Sequence, residues 1–261
     1  MLKNLILYIL LFCSLKAIAL TGEDIANKMY LANRDKDLVT KTKMTLIDKS
    51  GSKRERTFYT FSLDNNHYDS QSLIYFTEPV KIKKVGLLIH NAKEGDANQW
   101  LYLPALKKSR RISSGKKSGR FVSSDLTYQD LEDREVSLDH HKLLKEEKIK
   151  GKKYYIIERI PKKASSSIYT KVISWVDASN WLVKKANFYK AKTSIHKTIN
   201  STNFKKIGNS WYAGLTQVED FDEKHKTRLE LLDVKQNQGL SSSFFNKSIL
   251  ENPRRLNSYL K

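Results

Sequence analysis

The sequence predicts a mainly β protein built on one large antiparallel sheet, strongly curved or closed on itself. Three observations carry this reading. Short segments that alternate with a period of two recur at hairpin spacing along most of the chain. Clusters such as Asp48-Lys49-Ser50-Gly51, Asp64-Asn65-Asn66 and Asp177-Ala178-Ser179-Asn180 separate them as turns. Strands do not alternate with long helical patterns, which argues against a parallel α/β sheet.

The elements follow in order. Lys3 and the eleven-residue apolar run Leu5–Leu15, followed by Ala17-Ile18-Ala19, have the pattern of a secretory signal peptide cleaved after Ala19. Such a run is too short to cross a bilayer as a helix, which takes about 20 residues. The expected domain therefore spans 20–261. Thr21, with Asp24 three residues on, caps a helix over 21–33 whose stripe is Ile25, Met29 and Ala32. Strands follow at Met44–Ile47, Arg54–Leu63, 67–76, 84–90 and 98–104. Residues 125–133 read as a short helix or ordered loop. The second half is again a run of hairpins, with strands at Leu143–Ile149, Tyr154–Ile160, Tyr169–Val176, Leu182–Tyr189, Ile195–Ile207, Trp211–Phe221 and Thr227–Val234. That makes ten or eleven strands. Several carry large apolar residues on both faces, including Phe58, Tyr59 and Phe61, and Trp100 to Leu103. A sheet wetted on one side alternates more cleanly. The helix and the 125–133 segment are expected to cover one face. The other lines an interior, either filled or left as a cavity.

Composition narrows the function. In 261 residues, 39% are hydrophobic, enough for a core, and Lys+Arg 48 against Asp+Glu 28 give +20. The single Cys lies inside the signal segment, so the processed chain has no thiol chemistry and no cysteine metal site. Loss of Lys3 and Lys16 lowers the charge from +20 to +18. Export makes nucleic acid a poor partner for this charge; an anionic lipid or acidic protein surface suits it better.

Catalytic and metal patterns are absent. There is no G-x-S-x-G, no H-E-x-x-H and no phosphate loop. Gly115-Lys116-Lys117-Ser118 has the wrong spacing for one. His140 and His141 would point to opposite faces of a strand, which disfavours joint ligation. Glu132, Asp133 and Glu135 read as a solvated acidic turn. No cofactor, metal or enzymatic activity is expected. The unusual segment is Lys107–Arg120, in which seven of fourteen residues are basic and none is acidic. Its arginines suit phosphate or carboxylate.

Trp100-Leu-Tyr-Leu-Pro104, Arg110-Arg111-Ile112 and Ser123-Ser124-Asp125-Leu-Thr-Tyr128-Gln-Asp130-Leu131 closely resemble the signature of the LolA-like outer membrane lipoprotein-sorting family. The resemblance covers nearly the whole processed chain, including the opening Gly22-Glu23-Asp24-Ile25 helix and the late Phe188-Tyr189 strand. It implies an unclosed antiparallel β-barrel of about eleven strands with a helical lid. It also implies a periplasmic carrier of lipid or of lipoprotein acyl chains, moving them towards the outer membrane with an RND-type exporter and touching membrane surfaces transiently. On that reading Phe58, Phe61, Trp100 and Tyr102 line the cavity, with Leu101 and Leu103 on the opposite face. Arg110, Arg111 and Arg120 meet headgroups or a partner. Asp125, Tyr128 and Asp130 hold the lid, which Arg56, with Arg54, pins from a neighbouring strand. The alternatives are an exporter's accessory subunit that binds no lipid, and an envelope-lipid hydrolase using one of Ser113, Ser114, Ser123 or Ser124.

Overall fold

A computed structural model describes residues 20–260 apart from 33, 67–68, 92–96 and 192. The expected signal segment, 1–19, lies outside the described residues. Helix α1 (Gly22–Leu31) starts with a reciprocal capping box: Asp24 N donates to Thr21 Oγ1 at 3.1 Å and Thr21 N to Asp24 Oδ2 at 2.9 Å. The strands of the first half are β1 (Asp37–Ile47), β2 (Lys53–Asp64), β3 (Ser70–Glu78), β4 (Gly86–His90), β5 (Asn98–Leu103) and β6 (Lys108–Arg111). Those of the second are β7 (Asp139–Ile149), β8 (Lys152–Pro161), β9 (Lys171–Asp177), β10 (Val183–Tyr189), β11 (Ile195–Thr202), β12 (Lys205–Ile207), β13 (Ser210–Tyr212), β14 (Leu215–Asp220) and β15 (His225–Gln236). A short helix α2 (Lys247–Glu251) follows.

Thirteen strands form one antiparallel sheet, ordered β6-β5-β4-β3-β2-β1-β15-β14-β11-β10-β9-β8-β7. Its edges, β6 and β7, do not pair among the described residues, so the sheet curves without closing. The expected count of about eleven is thereby corrected. Residues 195–207 and 211–221, read as single strands, each divide, and the pieces β12 and β13 form a separate hairpin. Part of the basic loop, Lys108–Arg111, is the edge strand β6.

Alternation assigns the side chains to two faces. In the first wing, β1–β6, Met44, Phe58, Ile74, Phe76, Leu87 and Ile89 pack inward with Phe121. Their neighbours Tyr59, Phe61, Leu73, Tyr75, Leu88 and Tyr102 pack outward. The outward set is covered by the C-terminal segment through Leu240, Phe244, Phe245, Ile249, Leu250 and Leu256. Gly86 permits this cover, because a Cβ there would stand 2.6 Å from a Leu250 methyl. The inward face carries the 112–138 connection between β6 and β7, called the strap below, which is a chain of single 3-10 turns. In the second wing, β7–β11, α1 packs on that same inward face, with Ile25 against Tyr155, Ile157 and Val176. A Cβ on Gly22 would meet the Lys142 and Leu143 backbone at 2.6 Å, so only glycine lets the helix start this close to β7. Helix and strap share one face as expected, but it is that face that lines the chambers, and the C-terminus covers the other.

Candidate functional site

Two chambers on the inward face are lined in part by the strap. The first, of about 400 Å³, is lined mainly by Met44, Phe58, Ile74, Ile89, Leu229 and Leu231. Phe121, Leu126 and Leu131 of the strap form one wall of it. The second, of about 310 Å³, lies over β8–β11, between the strap's 129–134 portion and Met29 of α1.

Polar bonds and an apolar plug both hold the strap. Phe121 is its apolar plug, with ring centroids 5.8 Å from those of both Phe76 and Tyr128. Val122 turns at φ 43°, and its carbonyl accepts from the Arg56 guanidinium. The buried Asp125 carboxylate accepts from Arg120 Nη2 at 2.6 Å and Thr227 Oγ1 at 2.7 Å, and faces His225 Nδ1 at 2.7 Å. Asp130 Oδ2 accepts from Thr127 N at 2.6 Å and from Lys197 Nζ at 2.5 Å, while its Oδ1 accepts from the Tyr169 hydroxyl at 2.8 Å. Lys197 Nζ also donates to the Tyr169 oxygen at 2.6 Å. Burial, and the Asp130 charge beside it, push the Tyr169 hydroxyl far up, so it stays a neutral donor. Gln99 Nε2 donates to the Tyr128 carbonyl at 2.8 Å. Buried charges in such a network are satisfied as a set, and removing one leaves another uncompensated.

The sequence-predicted residues divide accordingly. Of the four expected cavity residues, Phe58 lines the first chamber. Phe61, Trp100 and Tyr102 are corrected to the outward core beneath the C-terminal segment, because they stand on the opposite face of their strands. Leu101 and Leu103, expected on the opposite face, pack with the inward cluster. Arg110 and Arg111 are exposed on β6, and Arg111 Nη2 donates to Asn98 at 2.5 Å. Arg120 is not a free headgroup contact, since its guanidinium is held by Asp125. Lys117, in the same basic run, is buried and paired with Glu132 at 2.7 Å. Arg56, Asp125, Tyr128 and Asp130 all bond within the strap or to it. The acidic turn is also corrected: Glu132 pairs with Lys117, Asp133 with Arg34, and Glu135 is buried.

Sequence reasoning missed Lys197, Tyr169, His225 and Thr227, whose strap partners stand 39 to 102 positions away. It also missed the 79–84 turn, where Val80 is 89% exposed beside Lys81, Lys83 and Lys84. Of the serines considered as nucleophiles, Ser124 is buried and donates to the Phe121 carbonyl at 2.7 Å. His196, Asp220 and Asp222 bring ligand atoms within 4.8 Å of one another. That set could hold a cation, but the imidazole is already hydrogen-bonded to Asp222 at 2.6 Å.

Among the described residues, no helix is long and apolar enough to cross a membrane. A family model described only as an uncharacterized protein matches residues 68–252, which includes the whole strap. No curated protein matches the chain. Among solved structures, an outer membrane lipoprotein-sorting protein domain from Vibrio parahaemolyticus aligns at 30% identity and TM-score 0.83, over 88% of this chain and 98% of that one. A DUF1329 family protein from Desulfovibrio piger aligns at 30% identity and TM-score 0.81, over 88% and 97%. A LolA superfamily protein from Nitrosomonas europaea shares the fold at 22% identity and TM-score 0.69, over 88% and 99%. With an unclosed sheet, a strap across its inward face and a relative this similar over nearly its whole length, the chain belongs to the outer membrane lipoprotein-sorting protein family and has its LolA-like fold.

Proposed function

We propose that this protein is a periplasmic carrier, processed after Ala19, that shelters lipid or lipoprotein acyl chains and passes them towards the outer membrane beside an RND-type exporter. The supporting observation is the first chamber: a largely apolar, half-open space of about 400 Å³, one wall of which is a strap that polar bonds hold in place. Water's share of liquid volume is about 30 Å³, so the space suits about a dozen methylene-sized groups. Each buried methylene contributes about 0.8 kcal/mol. A bilayer offers an acyl chain the same gain. Exchange between chamber and membrane is therefore close to balanced, as a reversible carrier needs, and moving the strap would control it. Lys107, Lys108, Arg110, Arg111 and Lys116 are exposed and would meet anionic headgroups or a partner. The fold relationship and the chamber both support the carrier reading.

The test is native mass spectrometry of the chain expressed with its leader and purified without detergent, followed by lipid extraction. A stoichiometric acylated adduct, lost in Ile74→Trp while the unfolding midpoint is kept, is expected. A chain that remains free of lipid after incubation with envelope lipids overturns the carrier reading and leaves the accessory-subunit reading in its place. The same spectra report whether the mature chain starts at Leu20.

A further inference from the structure

The second chamber differs from the first in chemistry. Its floor is apolar, with Ile157, Val172, Ala186, Phe188 and Ile199, but charged groups stand at its strap side. Four charged residues face it: Asp130, Glu132, Arg134 and Arg159. Three of these have close partners. Asp130 is bonded to Lys197 at 2.5 Å, and Glu132 is paired with Lys117 at 2.7 Å. Arg134 grips Asp139 with two bonds, of 2.8 and 2.7 Å, and donates to the Ser166 carbonyl at 2.7 Å.

Arg159 is the surplus cation. Its Nε stands 3.7 Å from the same Asp139 oxygen that Arg134 already holds, and among the described residues its guanidinium makes no hydrogen bond. It lies deep in the fold, yet 25% of its side-chain surface is accessible, and it lines the chamber. Burial pulls its pKa below the ordinary arginine value; Asp139 opposes that shift and Arg134 adds to it. His141, the remaining titratable side chain lining the chamber apart from Tyr169, donates from Nε2 to the Val136 carbonyl, 3.0 Å away, and burial disfavours its charged form. A guanidinium with several free donors at one end of an apolar space calls for an anion carried on an apolar chain.

We propose that the second chamber binds one fatty acid, its carboxylate on Arg159 and its chain along Val172, Ala186, Phe188 and Ile199. A carboxylate fits the planar donor fork. About 310 Å³ matches about ten water-sized groups, the scale of a single medium-length chain. The inference rests on the carrier reading only in taking lipids as the class of cargo. The two chambers are lined by different strands and can be blocked separately.

The experiment titrates the full processed chain with dodecanoate and, separately, with its methyl ester, by calorimetry. Dodecanoate is expected to bind at one site, with the ester at least tenfold weaker. Arg159→Gln should abolish that preference, bringing the acid down to the level of the ester. Ala186→Trp, which fills this chamber, should remove dodecanoate binding, whereas Ile74→Trp, which fills the other, should not. Arg159→Lys should recover part of the preference, which a merely structural role would not produce. Acid and ester binding equally, a preference that survives in Arg159→Gln, or dodecanoate displaced only by Ile74→Trp each overturns the proposal. If lipid adducts persist in the first chamber while dodecanoate fails to bind, this inference falls and the carrier reading stands. If dodecanoate binds as described and no adduct forms in the first chamber, the reverse holds.

Discussion

The two wings of the sheet treat their outer faces differently. In the first wing, Phe61, Tyr75 and Leu88 lie under Phe244, Leu250 and Leu256, so the sheet is the middle of three layers. In the second, Leu144, Ile149 and Ile160 remain exposed, while the inner face is packed by α1 and the strap. A strand packed on both sides cannot change its curvature without repacking two cores. A strand packed on one side can. The first wing is thus the more constrained of the two. The strap ties them together, bonding to β15 through Asp125 and to β11 through Asp130.

This contrast breaks most visibly where the strap meets the sheet. Asp125→Ala should destabilise the chain by about 3–5 kcal/mol, since Arg120 loses a buried counter-charge and His225 and Thr227 lose their hydrogen-bond partner. Denaturant unfolding checks this, and a change under about 1 kcal/mol would mean that the strap is held by packing alone. Next in size, Phe244→Ala should cost about 3 kcal/mol through lost cover on the first wing. Ile160→Ala on the second wing's bare face should stay within about 0.5 kcal/mol. Equal losses at the two positions would erase the three-layer against two-layer distinction. Gly22→Ala should cost about 1–3 kcal/mol by pushing α1 off β7, read as a lower thermal midpoint.

The smallest effect is one of pH. Burial holds the His141 imidazole below its ordinary value of 6.5. The folded state thus keeps it neutral where the unfolded chain takes up a proton. The associated stability is present above pH 6.5 and is lost as pH falls through the lower folded value. The urea midpoint should therefore fall from about pH 7.5 to about pH 5.5, and His141→Gln should shrink that fall. An unchanged slope would remove His141 from the account.

Much of this architecture is legible in the sequence. The hairpin turns, the Thr21 cap and the double-sided strands at Phe58–Phe61 and Trp100–Leu103 follow from local pattern. Pattern shows that two faces are buried; it does not say which one faces in. Hence sequence alone puts Trp100, Tyr102 and Phe61 on the wrong side of the sheet, although it reads their alternation correctly. The Ser123–Leu131 motif marks the strap. Its sheet partners are not legible, because Lys197 is one among many lysines and nothing in its neighbours marks it as buried. Glu132 and Asp133 look solvated for the same reason: their cations, Lys117 and Arg34, are distant in sequence.

The pairing of β1 with β15 has a consequence for how the chain assembles. Leu38 lies opposite Gln236, and Ile47 opposite Lys226, so this junction joins nearly the two ends of the described chain. Every other ladder of the large sheet, apart from β11 with β14 across the small hairpin, links strands adjacent in sequence. Loop-closure entropy rises with the length enclosed, so each half can form its own meander early while their union waits. The C-terminal residues that cover the first wing arrive later still. A nascent chain therefore exposes an apolar β1 edge and a bare Phe61–Tyr75 surface until residues 240–256 are available. That interval, rather than the finished molecule, is when an escort protein would be needed.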